Sequence, residues 1–233
     1  MLSGIAWVPC GVYLVADKII STADLVNDKI GRYDEGAMAE TRPSLESPDR
    51  PYHHGNLRRA LLDAAVAKIG DDGLATLSLR EVARRVGVSH AAPRHHFGDK
   101  AGLLTAIATD GFRRLTDELR AAWEADESFL EVGVAYVRFA VRNPVHFEVM
   151  YRPEVYRPND PTLIEARRAS GEFLYGPVGR VAGRKPGFKR REAGIAAWSI
   201  VHGLATLWLN GNLPLDAGRD PVELARAVLR YTF

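Results

Sequence analysis

The chain has 233 residues, of which 46% are apolar and 26% are charged, with 21 Gly and 13 Pro. This size and composition allow one or two domains with a buried core, which excludes a disordered polymer. The single cysteine, Cys10, cannot form an intramolecular disulfide, which excludes a disulfide-stapled secreted module and favours a cytoplasmic protein. No apolar run reaches the roughly 18 residues that a spanning helix needs, so we expect no membrane partner.

Positive charge is concentrated in one segment of the chain. The formal net charge is only +2. Residues 50–115 nevertheless carry eleven Lys or Arg against six acidic residues, and five of the seven histidines fall in the same window. Such a segment is typical of a surface that contacts phosphates, although a solvated charged face gives the same pattern.

The N-terminal residues differ in character from the rest. Residues 1–16 are apolar but lack the basic start and the clean cleavage site of a signal peptide. From Met38 onward, Pro, Ser and charged residues predominate, as in a flexible arm. We therefore expect residues 1–50 to form a leader or flexible N-terminal arm, with Met38 as a possible true start.

Helical patterns follow from about Asn56 to the end of the chain. Apolar residues between 57 and 69 advance by steps of three and four, which predicts an amphipathic helix. Proline and glycine breakers separate further predicted helices at 101–124, 127–142, 144–151, 161–182, 188–210 and 221–231. No stretch alternates convincingly with a period of two, so the predicted fold class is all-α, with a three-helix module before a larger bundle.

Two short helices with a tight turn between them are predicted near the middle of the basic segment. Ser78 and Glu81 have the spacing of a capping box, which marks the start of the first helix. Gly87 supplies its left-handed C-cap, and Ser89 is placed to cap a helix that begins at His90. The arrangement predicts a helix-turn-helix unit.

Residues 56–104 resemble the DNA-binding region of TetR-type transcriptional regulators. The resemblance rests on the turn Gly87-Val-Ser, on the pair His96-Phe97, and on Lys100 three residues after that pair. It implies a helix-turn-helix DNA-binding domain at 51–100, followed by a ligand-sensing and dimerisation bundle at 101–233.

The resemblance also implies which residues touch DNA. The expected DNA contacts are the family's base-contacting and phosphate-contacting positions and the serine just before the second helix. They are Arg80, Ser89, His90, Ala91, Ala92, Arg94, His96 and Lys100. On a helical wheel, Arg94 shares a side with His90 and Ala91, whereas Pro93 and Phe97 lie opposite. The first side is expected to face the major groove, and the second to face the core.

Two positions depart from the family pattern. Arg94 stands where the family generally has an aromatic residue, and a guanidinium can bind O6 and N7 of guanine, so we expect a G·C pair in each half-site. Pro93 stands where the family often has Leu. Its ring removes one backbone donor near the first helical turn, where the loss is tolerable.

The most apolar predicted helix, at 188–210, indicates a homodimer. Its residues at spacings of three and four form a seam for another helix: Ile195, Trp198, His202, Ala205 and Leu209. The last helix adds Val222, Ala225, Val228 and Leu229. Two such helices from each subunit predict a four-helix interface, and a two-fold dimer predicts a near-palindromic operator in double-stranded DNA.

The run Trp198-Ser-Ile-Val-His-Gly203 resembles the Trp-His-Gly motif of one C-terminal domain class of TetR-type regulators. It implies a ligand-sensing domain, whose candidate contacts are Tyr136, Phe139, Phe147, Met150, Trp198 and His202. Ordinary core packing is the competing interpretation for each of them. We expect a repressor released by a small apolar or amphipathic effector, and an activator or a constitutive regulator without an effector as the alternative.

An enzyme is the competing class of protein. Ser199 and His202 are conceivable as nucleophile and base, but neither a strand-turn-helix elbow nor a carboxylate accompanies them in the sequence. The histidine pairs 53–54 and 95–96 point about 100° apart on a helix, which does not suit one metal ion. The sequence therefore predicts no catalytic residue, no metal and no cofactor.

Overall fold

The chain divides into two compact units, Met1–Arg50 and Pro51–Phe233. The computed structural model describes residues 12–15, 18–21, 54–175 and 189–231. The predicted start at Met38, the arm that follows it and His53 lie outside the described residues.

The first unit contains a short β-hairpin. Strands β1 (Val12–Val15) and β2 (Lys18–Ser21) pair antiparallel, with Val12 opposite Ser21. These strands are not predicted from the sequence, because segments of four residues are too short to show a periodicity that separates a strand from a helix.

Three helices and a 3₁₀ turn begin the second unit. The helices are α1 (His54–Asp72), α2 (Leu79–Val86) and α3 (Ala91–Phe97), and the 3₁₀ turn covers Leu74–Thr76. Gly73 ends the first helical segment with φ +82°, a backbone conformation that favours glycine. The predicted break between Gly70 and Gly73 therefore falls at its last residue.

Six further helices form the bundle in the described part of the chain. They are α4 (Lys100–Asp126), α5 (Phe129–Arg142), α6 (Pro144–Met150), α7 (Pro161–Tyr175), α8 (Arg190–Leu209) and α9 (Pro221–Leu229). The break between α4 and α5 lies two residues later than predicted, because Glu127 takes a left-handed conformation and the Ser128 hydroxyl accepts from Glu131 N. The predicted residues 176–182 and 188 lie outside the described residues.

The long helix α4 organises the second unit. It packs against α5, α6 and α7 of the bundle and also against α1 and α3. One hydrophobic cluster runs from Leu61 in α1 through Leu103 in α4 to Leu229 in α9. Residues 54–175 and 189–231 therefore confirm the predicted all-α class, and one continuous core joins the three-helix module to the bundle.

The packing of α8 and α9 corrects the predicted dimer seam. Ala205, Ala225 and Leu229 are fully buried within their own chain. A Cβ placed on Gly133 of α5 would lie 2.8 Å from a Leu229 methyl, so α9 packs closely on α5. Helix α8 has apolar residues on several sides, so periodicity does not separate its inner face from its outer face, and the predicted seam combines buried Ala205 with exposed Ile195.

The outward face of α8 keeps one residue of the predicted seam, Ile195, and adds Leu207. Ile195 is 41% exposed and Leu207 is 43% exposed, and Ser199 between them is exposed as well. A Cβ added to Gly203 would meet nothing within 4 Å. The apolar surface available to another chain on α8 is therefore this face.

Candidate nucleic-acid interface and aromatic cluster

The helix-turn-helix has the cap and the turn that the sequence predicts. The Ser78 hydroxyl accepts a hydrogen bond from the backbone N–H of Glu81 at 3.3 Å. Gly87 has φ +74°, and the next N–H, of Val88, donates to the Ala83 carbonyl at 3.1 Å. Because a left-handed residue with two reverse bonds ends α2 sharply, the chain can turn directly into α3.

Helix α3 has one buried side and one exposed side, as the helical wheel predicts. Pro93 and Phe97 are buried, whereas Ala91 and Arg94 are exposed. Pro93 is the third residue of the helix, where an N–H has no intrahelical acceptor, so the ring removes no helical hydrogen bond. The Arg58 guanidinium of α1 lies 5.1 Å from the centre of the Phe97 ring and covers it from outside the core.

The start of α3 differs from the prediction. His90, rather than Ser89, occupies the N-cap position, and its side chain makes no capping hydrogen bond with any described residue. The backbone of His90 is already helical, with φ −61° and ψ −18°. The Ser89 carbonyl accepts from Ala92 N at 3.0 Å, so backbone replaces the predicted side-chain cap. Both hydroxyl and imidazole remain exposed on this surface.

Lys100 makes an intramolecular contact that the sequence analysis did not predict. Its Nζ donates to the carbonyls of Leu74 and Ala75, at 3.2 and 3.3 Å. The ammonium thus ties the 3₁₀ turn before α2 to the first residue of α4.

The amino end of α4 is not an open anion site. The Asp99 carboxylate accepts from Gly102 N at 2.8 Å and from Arg157 Nη2 at 2.9 Å. These bonds hold the pKa of Asp99 below its usual range, and the bond from Gly102 N contributes most. The chain's own carboxylate therefore occupies the place where the free N–H groups of a helix start would otherwise favour an anion.

Four aromatic side chains of the bundle meet at one hydroxyl. Tyr136 Oη lies 2.7 Å from Tyr151 Oη and 2.9 Å from His202 Nδ1. It also accepts a hydrogen bond from Trp198 Nε1 at 3.2 Å. A phenol has a single proton, so Tyr136 donates to either Tyr151 or His202 and accepts from the other. We call these four residues with Phe147 the aromatic cluster.

Ring packing completes the aromatic cluster. The centre of the His202 ring lies 4.4 Å from that of Tyr151 and 5.2 Å from that of Phe147. Burial lowers the pKa of His202, raises the pKa of Tyr151 to about 12, and raises the pKa of Tyr136 beyond its usual range. The aromatic cluster is therefore uncharged at neutral pH, as suits a site for an apolar or amphipathic molecule.

Not every predicted ligand contact belongs to this cluster. The structure brings together Tyr136, Phe147, Trp198 and His202 of the six candidates, and adds Tyr151. Phe139 is fully buried in the core. Met150 faces α4, where a Cβ on Gly111 would lie 2.5 Å from its sulfur. Two surface clefts, one beside Arg58 and one beside Lys100, are lined by none of the six.

A polar contact links α1 with the bundle through α4. The Asp110 carboxylate accepts from Arg59 Nη1 of α1 at 3.0 Å and from Arg114 Nε at 2.7 Å. His146 Nε2 of α6 lies 3.2 Å from the same carboxylate, although the two are not aligned as a hydrogen bond. Burial acts to raise the pKa of Asp110, but His146 and the arginines outweigh it and hold the pKa well below its usual range.

The cleft beside Lys100 has a volume of about 410 Å³. Leu104 of α4 and Arg152 after α6 also line it. It therefore lies next to the 3₁₀ turn that Lys100 holds, and away from the aromatic cluster.

The pair considered for catalysis is engaged elsewhere. The Ser199 hydroxyl donates to the Ile195 carbonyl at 2.8 Å, and His202 Nδ1 lies against Tyr136. In residues 54–175 and 189–231, no group of three or more His, Cys, Asp or Glu side chains has an arrangement that could hold a metal ion. Helices in the described part of the chain are all too short or too polar to cross a membrane.

An exposed helix-turn-helix joined through α4 to a helical bundle defines a DNA-binding regulator, and sequence comparison agrees. Residues 61–107 match the family model "Bacterial regulatory proteins, tetR family". Residues 129–231 match the model "Tetracyclin repressor-like, C-terminal domain".

Curated relatives are named as helix-turn-helix transcriptional regulators. The HTH-type transcriptional regulator BetI of Burkholderia mallei (strain NCTC 10229) is 30% identical over 171 residues, which cover 69% of this chain and 86% of that protein. BetI of Rhizobium meliloti (strain 1021) is 39% identical over 85 residues, 36% of this chain and 42% of that relative, so the chain spans about two fifths of its length. The chain belongs to the TetR family of transcriptional regulators and is not an enzyme.

Solved structures share the fold. A protein of unknown function from Rhodococcus sp. RHA1 is 36% identical, with a TM-score of 0.67 over 78% of this chain and 96% of that chain. The TetR family transcriptional regulator PfmR from Thermus thermophilus has a TM-score of 0.57 at 24% identity, over 72% and 93% of the two chains. Members of this family bind DNA and typically act as dimers.

Proposed function

We propose that this regulator is a homodimeric repressor that leaves its operator when a small apolar or amphipathic effector binds in the bundle. Residues 51–100 form the DNA-binding domain and residues 101–233 the sensing and dimerisation domain. The observation that carries the proposal is the joint presence of an exposed α3 face and an uncharged aromatic cluster in one continuous core. Because the partner is bacterial DNA, we place its action in the cytoplasm.

The DNA contacts in this proposal are those expected from the family resemblance. They are Arg80, Ser89, His90, Ala91, Ala92, Arg94, His96 and Lys100. Exposure of Arg94 opposite buried Pro93 supports base reading, because the guanidinium extends away from the core. Two copies of α3 related by a two-fold axis would read a near-palindromic operator with half-sites about 34–36 Å apart.

The effector site in this proposal is the aromatic cluster. The run from Trp198 to Gly203 supports a bundle of the Trp-His-Gly class. The ring centres of His202 and Trp198 lie 4.4 and 6.2 Å from that of Tyr151, and small-molecule sites are lined mostly by such apolar and aromatic side chains. Since Tyr136 Oη already has all three of its partners, an effector that displaces one of them must replace its hydrogen bond.

A contact path connects the two proposed sites. Phe147 of the aromatic cluster follows His146 in α6, and His146 lies against Asp110. Asp110 binds Arg59 of α1 in the DNA-binding domain. A ligand that shifts α6 therefore acts on the contact between the bundle and α1. Its effect on operator affinity is set by how much more tightly it binds the arrangement that releases DNA than the arrangement that holds DNA.

Operator binding tests the proposal. Fluorescence anisotropy would compare DNA upstream of the protein's own gene with a scrambled duplex at several salt concentrations, using the full chain. We expect binding about a thousandfold tighter to the operator, with two chains per site. A panel of apolar and amphipathic compounds would then be screened for release of that complex. Equal, weak, salt-sensitive binding to both duplexes would contradict sequence-specific regulation.

The alternative is an activator or a constitutive regulator without an effector. It shares the operator binding described above and differs in the screen. Retention of the complex across the whole panel, with no heat of binding by titration calorimetry, would favour this alternative over the repressor with an effector.

A further inference from the structure

A polar cleft of about 500 Å³ lies between α1, the end of α3, α4 and the segment before α7. None of the aromatic cluster lines it. Its walls include arginines from three separate elements: Arg58 of α1, Arg113 of α4 and Arg157 of the connecting segment. Volumes of roughly 300–1,000 Å³ are typical of small-molecule sites.

The carboxylates that line this cleft are already committed to other partners. Asp110 binds Arg59 and Arg114, as described above. Asp160 Oδ1 accepts from the hydroxyl and the backbone N–H of Thr162, at 2.6 and 2.9 Å. Neither carboxylate forms an ion pair with Arg58 or Arg113.

Two guanidinium groups of the cleft differ from the paired arginines around them. Among the residues that the structure describes, no carboxylate lies within ion-pair distance of Arg58 or Arg113. Arg58 Cζ lies 5.1 Å from the centre of the Phe97 ring, and this cation–π contact brings no negative charge to the guanidinium. The two side chains come from different helices, and both line the same cleft.

A third guanidinium fixes the floor of the cleft. Arg157 Nη2 binds Asp99, and its backbone N–H donates to the buried Thr105 hydroxyl at 3.0 Å. Gly102 also lines the cleft, and a Cβ there would lie only 1.9 Å from the Phe97 carbonyl oxygen, so the end of α3 packs directly on the backbone of α4. The cleft is thus a built feature of the fold, held by a buried hydroxyl and an ion pair.

We propose that this cleft binds a small anionic ligand, with carboxylate or phosphate groups held between Arg58 and Arg113. Guanidinium groups bind the oxygens of either group in a planar, two-point geometry. This ligand differs in chemistry and in place from the apolar effector of the bundle, so the inference does not depend on that effector. Its Arg58 contact belongs to the DNA-binding domain and its Arg113 contact to the bundle, so its occupancy would change operator affinity.

Titration of the full chain with inorganic phosphate and with citrate tests the inference. Each would be compared with chloride at constant ionic strength by calorimetry, and thermal unfolding would be recorded in parallel. Phosphate stabilises proteins in general by exclusion from their surface, so the variants supply the specific readout. We expect saturable binding by wild type and a loss of about tenfold or more in affinity for Arg58→Gln/Arg113→Gln.

Arg120→Gln is the matched control, because Arg120 is an exposed arginine of α4 outside the cleft. It should bind both anions as wild type does. Equal affinities in the double variant and the control would overturn the inference, and so would the absence of saturable binding by wild type.

A role of Arg58 in DNA binding is distinguished by the same variants. If Arg58→Gln lowers the slope of log affinity against log salt for operator DNA by about one, while anion affinity is unchanged, Arg58 contacts a DNA phosphate and the inference is wrong. Operator binding that persists when anion binding fails leaves the proposed regulator intact. The two proposals therefore fail separately.

Discussion

Arg59 of α1 and Asp110 of α4 form an ion pair at 3.0 Å across the boundary between the three-helix module and the bundle. This ion pair joins two residues that are 51 positions apart in the chain. The carboxylate also lies beside His146 of α6, the helix that carries Phe147 into the aromatic cluster. One partly buried charge thus touches helices of both parts of the protein.

Asp110→Asn should lower the free energy of unfolding by about 1–3 kcal/mol, because it weakens charge-assisted bonds to two arginines. The folded-state pKa lies below its ordinary value of 3.8, so the carboxylate contributes stability above about pH 4 and loses it as the pH falls through the folded value. Urea unfolding between about pH 5 and pH 2 should show a steeper loss of stability for wild type than for the variant. Asp117→Asn, in an exposed pair with Arg120, should cost less than about 1 kcal/mol. An equal loss of unfolding free energy in Asp110→Asn and Asp117→Asn would contradict the stabilising role of the Asp110 contacts.

Tyr136→Phe should destabilise the bundle by about 1–3 kcal/mol, because it removes the hydroxyl shared by Trp198, Tyr151 and His202. Tyr231→Phe supplies the control, since Tyr231 is 95% exposed and should change stability by less than about 0.5 kcal/mol. Chemical denaturation followed by circular dichroism measures both. Matching midpoints for Tyr136→Phe and wild type would show that the shared hydroxyl adds nothing to stability.

Arg94→Ala should relax the preference for a G·C pair in each half-site, with a loss of roughly 1–3 kcal/mol of discrimination. Its side chain is exposed on α3, so the fold should not change. Selection of binding sites from a random DNA pool would compare the variant with wild type. Arg84→Ala is the control, because its guanidinium pairs with Glu81 on α2. An identical site preference for Arg94→Ala and wild type would rule out base reading by this residue.

Ile195→Glu with Leu207→Glu should convert a dimer to monomers, because both side chains lie on the exposed face of α8 and a buried charge at an interface is costly. Ile164→Glu on α7 is matched for residue type and is 50% exposed, so it should leave the dimer intact. Sedimentation equilibrium gives the masses, and circular dichroism verifies folding. A folded double variant that remains dimeric would move the interface away from this face.

Local patterns predicted the helix-turn-helix well. The Ser78 cap, the Gly87 turn and the burial of Pro93 and Phe97 each depend on residues within one or two helical turns. The predicted N-cap of α3 at Ser89 was wrong for a local reason too, because the backbone of His90 places the N-cap one residue later. Rules of capping and periodicity are most reliable at this range.

Contacts between distant residues were beyond the sequence patterns. Tyr136 and His202 are 66 positions apart, and the hydroxyl that joins them also contacts Tyr151, the residue that follows α6. Aromatic residues at helical spacing predict a core, but they do not reveal which polar atoms meet inside it. Periodicity likewise could not assign the faces of α8, because Trp198 and Leu207 look equally suited to either.

The two hydrogen bonds that Lys100 makes within the chain bear on its proposed contact with DNA. An ammonium group has three N–H donors, and the carbonyls of Leu74 and Ala75 take two of them. The side chain is therefore already ordered before DNA arrives, and one donor is left for a phosphate. A flexible lysine loses conformational entropy when it binds the DNA backbone. Lys100 has lost much of that entropy during folding, so its side chain is preorganised and its contact with a phosphate costs less entropy.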